Sequence, residues 1–419
     1  MTNEPKSDNT LHEGKETIRE TLSTRVTHRA GVLVAGGGVA GIAAALAAAR
    51  HGADVLLIER EFALGGLATL GLITYYLPLC DGRGHQVIFG IGEELLRLAI
   101  KHGAESSYPS AWLDAGADPS LREKQRFKAG YNGPLFMMES EFLLKDAGVR
   151  LLYGTQICSA QTRNGRITHV ICENKSGRFA VAADVFIDAT GDADIARFAG
   201  AETVRFGQGN VLAGWYYSYA ADGLRLKMVG ASDIPDEEKL AGDLRTYLTP
   251  ERFSGLDGDE LSRMTELSHR ATYDAWSAVR ASDPSAFPAV IPSIPQIRMT
   301  RRIAGYETPD TSDDRREWDD CVGLTGHWRH RGPVYGIPLG CLRSVSFPNL
   351  LGAGRDISVT DSMWDNTRVI PTCAVTGEAA GTAAAMFSDL SSLTRAEICE
   401  LRAELRRGGV KTSIAELGL

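Results

Sequence analysis

Residues 31–60 read "GVLVAGGGVAGIAAALAAARHGADVLLIER". An apolar run leads to glycines at 36, 37, 38 and 41, an alanine-rich stretch follows to Arg50, and a second apolar run ends on Glu59. The pattern predicts strand–loop–helix–strand, with Gly52 as the helix stop. Gly36-Gly37-Gly38-Val39-Ala40-Gly41 forms a GxGxxG loop in which each glycine has a task. Gly36 permits the tight turn, Gly38 lets the backbone approach a pyrophosphate, and Gly41 lets helix and strand pack closely. The helix start, with Val39 and Ala40 in its first turn, presents free N–H groups and a positive partial charge to phosphate. Glu59, 23 residues beyond Gly36, stands where a carboxylate accepts from ribose hydroxyls, with Arg60 beside it. The ADP half of a flavin or of a nicotinamide dinucleotide suits such a unit, so the rest of the chain must decide between them.

Composition limits the alternatives. A chain of 419 residues has room for two or three domains at roughly 150 residues each. It is 43% hydrophobic and 23% charged, with a formal net charge of −8 and no block of five or six basic residues. Nucleic acid and anionic membrane surfaces are therefore excluded as main partners. Nothing approaches 18 strongly apolar residues, so no membrane span is expected. Residues 1–28 are polar and charged, without the apolar core of a secretory signal, and read as an extension that is partly helical or disordered. The seven cysteines form no CxxC and no cluster, which suits reduced, mostly buried thiols in a cytoplasmic protein. No HExxH, paired CxxC or EF-hand loop occurs, so no metal is expected.

Three further stretches carry chemistry. After Glu59, "REFALGGLATLGL" brings Gly66, Ala68 and Thr69 together in a loop able to approach a flat ligand. Residues 148–196 contain strand-like runs broken at "RNGR" and "NKSGR", a small antiparallel meander with Asn164-Gly165 as a hairpin signal. The last run, "ADVFIDATG", ends in Thr190-Gly191-Asp192, and strand ends of this kind contact ligands in doubly wound sheets. Residues 347–386 run through Gly352, Gly354 and Arg355 to "TGEAAGTAAAM", read as a second alanine-rich helix whose N-terminal amides stabilise negative charge.

In this order, GxGxxG…E, GGxAT, ATGD, then GAGR-x-IS…R-x-x-P…GEAAG, the chain resembles the FAD-dependent oxidoreductases of the glutathione-reductase-type superfamily. It is closest to the bacterial group called FAD-dependent oxidoreductase, and more distantly similar to fumarate reductase and succinate dehydrogenase flavoproteins. The resemblance covers about residues 30–390, apart from much of 207–290. It implies noncovalent FAD, with Glu59 at the adenosine ribose and Gly36, Gly38 and Gly41 at the pyrophosphate. It also implies Gly66, Ala68 and Thr69 beside the flavin, Ile157 near adenine, and Thr190, Gly191 and Asp192 near the ADP moiety. Gly354 and Arg355 would lie along the ribityl chain, and the helix start at Gly377, Ala379 and Ala380 under the pyrimidine ring. Relatives often carry Gly-Asp where this chain has Gly354-Arg355, which leaves open whether Asp356 takes over the ribityl contact.

The expected fold class is α/β: a Rossmann-type FAD-binding domain with a β-meander (29–206, completed by 336–390), an inserted α+β substrate domain (207–335) and a C-terminal helical segment (391–419). There is no second GxGxxG between strand and helix and no CxxxxC pair, which argues against a disulfide reductase. Catalytic candidates come from the donor-rich end of the insert. Arg301 and Arg302 would clamp a carboxylate or polarise a carbonyl, on opposite sides of a strand so that at most one reaches the flavin, with Arg302 favoured. His327, next to His330, would move a proton, and Tyr335 and Arg368 would stand at the flavin–substrate face. The reaction expected is hydride transfer between a small organic substrate and flavin N5, with a separate electron acceptor or donor. A flavoprotein subunit of an electron-transfer or RNA-modifying assembly, and a non-catalytic FAD scaffold, stay open at this point, as does homo-oligomerisation.

Overall fold

The computed structural model describes residues 17–114, 116–230 and 248–419. The first sixteen residues of the expected extension, and residues 231–247 of the expected insert, lie outside the described residues.

The opening unit is built from β1 (Val26–Ala35), α1 (Val39–Arg50) and β2 (Val55–Ile58). β1 and β2 run parallel, with Val32 opposite Val55. β1 starts at Val26, before the apolar run, because its polar first half pairs along β8 (Gly177–Asp188), Arg29 facing Ala182. Tertiary pairing thus makes a strand where local hydrophobicity does not.

In chain order, β3 (Tyr75–Tyr76), α2 (Gly90–Ile100), α3 (Ser110–Leu113), α4 (Pro119–Lys124), β4 (Ala129–Gly130) and α5 (Gly133–Asp146) follow. Then come β5 (Arg150–Leu152), β6 (Gln156–Arg163), β7 (Arg166–Asn174) and β8. The main sheet has the order β5-β2-β1-β8-β7-β6, with β16 (Leu350–Gly352) also on β8. β6, β7 and β8 are the antiparallel meander, turned at Asn164 and Gly165, both left-handed (φ 52° and 71°), as a two-residue hairpin requires. β8 serves two structures: its first residues pair with β7, and Phe186–Asp188 pair in parallel with β16.

The parallel strands are buried on both faces, as crossover helices demand. Val32, Val34, Val55 and Leu57 face the helical layer, while Leu33, Ala35, Leu56 and Ile58 pack against Val170, Val181 and α6 (Asp194–Ala199). The helical layer holds α1 against α9 (Ile370–Met386). α9 corrects one sequence expectation. It starts at Ile370, with Pro371 in its first turn, where a proline is pre-organised for a helix. Gly377, Ala379 and Ala380 are therefore not its start. They lie in its buried middle, where a Cβ on Gly377 would fall 2.2 Å from the Ala40 carbonyl oxygen of α1. The small residues let two helices cross closely.

Between β8 and β16 lie β9 (Thr203–Arg205), β10 (Ala213–Ala220), β11 (Gly223–Gly230), α7 (Gly258–Arg280), β12 (Phe287–Val290) and β13 (Arg301–Ile303). β11-β10-β12 form a sheet backed by α7, and β13 pairs with β9. The hairpin of β14 (Cys321–Gly326) and β15 (Val334–Pro338) leads back to the main sheet. α8 (Asp361–Thr367) precedes α9, and α10 (Arg395–Arg407), with its Thr394/Glu397 capping box, closes the chain.

Candidate active site

A cleft of about 210 Å³ opens where β1, β2 and β8 end, between the GxGxxG loop, the residues after β16 and the segment 294–297. At one end Glu59 is buried at the exit of β2. Its Oε2 accepts from the Gly37 amide at 2.6 Å and its Oε1 from the Glu61 amide at 2.8 Å. Burial raises this carboxyl and the two amides oppose the rise. Glu59 thus braces the glycine loop while its remaining lone pairs stay toward the cleft, where Arg60 and Ile157 also lie. Gly36 turns at φ +94°, and a Cβ on Gly41 would sit 1.8 Å from the Gly36 carbonyl oxygen. Gly41 accordingly makes helix–loop packing possible and is not itself on the cleft wall. Around the Cβ position of Gly38 there is open space, which leaves a cradle at the helix N-terminus for a phosphate.

The middle of the cleft is lined by Val39, Ala40, Thr190, Gly191, Asp192, Asp194, Gly354 and Arg355. Arg355 donates to the carbonyls of Ile297 and Arg298 at 2.9 and 3.1 Å and stands 3.5 Å from Asp192. It ties the proline-rich crossing segment to the cleft wall. Asp356 does not take over a ribityl contact. It is fully buried and turned inward, accepting from the amides of Gly191 and Ala193. Asp194 is pushed up to about 6, mainly by burial and by Asp192, with Arg301 and Arg60 opposing.

Gly66, Leu67 and Ala68 line the same cleft as Arg368, Ile370 and Cys373, so the true N-terminus of α9 meets the cleft. The Cys373 thiol is held neutral, pushed up to about 12 by burial. Thr69 differs from expectation: its hydroxyl donates to the Leu64 carbonyl at 2.5 Å, is buried, and holds the GGLAT turn from behind.

The catalytic candidates separate into groups. Arg301 and Arg302 are both buried, as neighbours on a strand pointing to opposite sides. Arg301 lies in the field of Asp194 and Asp192. Arg302 bonds Asp361 at 2.7 Å and stacks 4.6 Å from the Trp364 ring centroid. Neither is on the cleft wall; the expectation that favoured Arg302 at the flavin meets a side chain committed to α8. Arg368 does line the cleft and bonds Asp365 at 2.5 Å. Asp365, fully buried, also takes Arg329 at 2.8 Å and the Trp328 indole N–H at 3.2 Å. His327 and Tyr335 stand next to this cluster, their rings 6.4 Å apart, with His330 edge-on to His327 at 4.4 Å. The Nδ1 of His327 accepts from the amides of Arg329 and His330, both at 3.2 Å, leaving the proton on Nε2. Burial, His330 and Arg329 lower its pKa to about 4.

Sequence reasoning missed Asp365 and Asn366. The spacing of Asp365 and Arg368, three apart before a Pro-marked helix start, was the available signal. Asn366 is fully buried, and neither its amide oxygen nor its nitrogen has a hydrogen-bond partner.

The fold and cleft define a flavoprotein-type dinucleotide-binding architecture. The family model "FAD dependent oxidoreductase" matches residues 31–213 and 279–405, and the chain belongs to that family. FAD is the cofactor, and the residues present fit it: the Glu59 carboxylate for ribose, the open cradle at Gly38 for the pyrophosphate, and the α9 N-terminus at the far end. No curated protein matches the chain. Among solved structures, a geranylgeranyl bacteriochlorophyll reductase-like protein from Thermoplasma acidophilum is 14% identical, over 91% of this chain and 83% of that one, with a TM-score of 0.45. A 3-ketosteroid-Δ4-(5α)-dehydrogenase from Rhodococcus jostii RHA1 is 15% identical over 86% and 98%, TM-score 0.40. A flavocytochrome c3 fumarate reductase is 15% identical over 86% and 78%, TM-score 0.41. Among the described residues, no helix is long and apolar enough to cross a membrane.

Proposed function

We propose that the enzyme transfers a hydride between a small organic substrate and N5 of noncovalent FAD, with a separate acceptor or donor completing the cycle. The observation that carries this reading is the far end of the cleft, where Arg368 on the wall meets a buried cluster organised by Asp365. FAD supplies the two-electron chemistry; the chain binds, orients and manages protons. Arg368, oriented by Asp365, offers a fork of donors to a substrate carbonyl or carboxylate. His327, neutral with its proton on Nε2, and Tyr335, its ring 6.4 Å away, lie behind the cleft wall and are the groups proposed to carry the proton. Arg301 and Arg302 act behind the wall as positioning residues, Arg302 through Asp361 and Trp364. Residues 207–335 supply the cover that sets substrate choice.

The test is anaerobic bleaching of the flavin absorbance by panels of alcohols, hydroxy acids and amines, together with reoxidation of chemically reduced protein by enoates. Turnover by one class, lost by about 10²-fold or more in Arg368→Ala with FAD still bound, is the expected result. A flavin that exchanges electrons only with a protein partner and with none of these compounds would move the reading to a subunit of an electron-transfer assembly.

A further inference from the structure

Two carboxyl groups are buried together beneath the cofactor cleft. Asp188, the last residue of β8, and Asp356, in the turn after β16, are both 0% exposed, and their carboxyls accept from the successive amides of Thr190 and Gly191, which sets them side by side. They are 168 positions apart in sequence. Among the described residues, every amide or hydroxyl that donates to their carboxyls belongs to the short segment 190–196. Asp188 accepts from the Thr190 hydroxyl at 2.7 Å, the Thr190 amide at 3.3 Å and the Ala196 amide at 3.0 Å. Asp356 accepts from the Gly191 amide at 2.9 Å and the Ala193 amide at 3.2 Å. Ala193 is held at φ 51°, a left-handed conformation that a non-glycine residue keeps only when its surroundings enforce it.

The residues on either side of this pair form the cleft wall: Thr190, Gly191 and Asp192 from one segment, Gly354 and Arg355 from the other. Two buried carboxylates in contact cannot both ionise without a large electrostatic cost, whereas one shared proton turns repulsion into a strong hydrogen bond. We propose that Asp188 and Asp356 share a single proton and that this bond fastens the two cofactor-facing segments together, making the pair the positioning device for FAD. Burial raises both groups; the Asp188 charge raises Asp356 further, well above the usual carboxylate range, while the hydrogen bond from Asp356 opposes the rise of Asp188.

The charges around the pair do not remove the need for the proton. Arg355 opposes the rise, but its guanidinium is committed to the Ile297 and Arg298 carbonyls and Asp192. Asp192 adds negative charge. On β13, Arg301 lies toward Asp194 of α6 and Arg302 is paired with Asp361 of α8. Cys373 of α9 stays neutral. Loss of the proton would leave two adjacent anions under the segment that cradles phosphate, loosening both segments and weakening FAD.

The test compares wild type with Asp356→Asn and Asp188→Asn, in each of which an amide N–H stands permanently where the proton was. FAD dissociation constants are measured by flavin fluorescence from pH 5 to pH 10. Asp194, pushed up to about 6 in part by Asp188, is ionised in all three proteins by pH 8, so the ratio is compared from pH 8 upward. The expected result is a ratio of wild-type to variant dissociation constants that rises by at least about tenfold toward alkaline pH, a change worth about 1.4 kcal/mol, together with proton uptake by the wild type on binding FAD. A ratio flat across the range would overturn the proposal. Should neither variant fold, calorimetry of the wild type in buffers of different ionisation enthalpy decides: uptake supports the shared proton, and no uptake at any pH refutes it. A wild-type chain that binds no FAD at any pH would overturn the cofactor assignment instead, and the pair is then read from urea-unfolding midpoints of the same proteins, where a pH-independent difference refutes it.

Discussion

Glu378 offers a quantitative test of how the cleft is held. It sits in the middle of α9, buried, and its Oε2 accepts from the Ile91 amide in the first turn of α2 at 2.8 Å. Gly90 passes so close that a Cβ there would lie 2.6 Å from the same oxygen. Burial is the main cause that pushes this carboxyl from 4.5 up to about 8, with Glu94 adding to it and the Ile91 amide and Arg50 opposing. Because the folded-state value is raised, the stabilisation is fully present below pH 4.5 and is lost as pH rises toward 8. Glu378→Gln mimics the protonated acid and removes this titration. At about 1.4 kcal/mol per pH unit, the wild type should lose about 3 kcal/mol relative to the variant between pH 4.5 and pH 7. Urea unfolding of both proteins across pH 4.5–9 measures the difference, which should level off above pH 8. A wild-type-minus-variant difference that does not change with pH would refute the reasoning and mean that Glu378 is ionised in the fold.

Glu59→Ala should weaken FAD by about 10²-fold, since it removes a charged acceptor and strands the Gly37 and Glu61 amides; Glu59→Gln should lose less, and fluorescence titration of apo-protein distinguishes them. Because His327 stays neutral down to about pH 4, kcat/KM should show no break near 6.5, and His327→Asn should keep the wild-type profile shape between pH 5.5 and 7.5. A break near 6.5 that vanishes in the variant would make the imidazole a titrating acid–base group. Asn366→Leu should raise unfolding stability by about 1–3 kcal/mol by removing two unpaired buried groups while lowering kcat/KM; a less stable variant with full activity would show that the amide serves packing alone.

The glycine loop, the helix after it and the acid after β2 are legible in residues 31–60 because short-range sterics and backbone hydrogen bonding encode them locally. The same holds for the Asn164-Gly165 hairpin, which needs two left-handed residues and has them. FAD follows from the order of such local pieces along the chain. What local patterns do not carry is the partner of a side chain. Thr69 looks like a ligand contact until its hydroxyl is found on the Leu64 carbonyl. Gly377 looks like a helix start until α9 is seen to begin two turns earlier and to press against α1. Arg302 looks catalytic until Asp361 and Trp364 claim it, and the sequence leaves the role of Asp356 open until it is found on the Gly191 and Ala193 amides. Apart from Thr69, whose partner lies five residues back in the same turn, these are decided by contacts between segments distant in the chain, so the backbone that cradles the cofactor is written locally while the side chains that would act on a substrate are selected by packing.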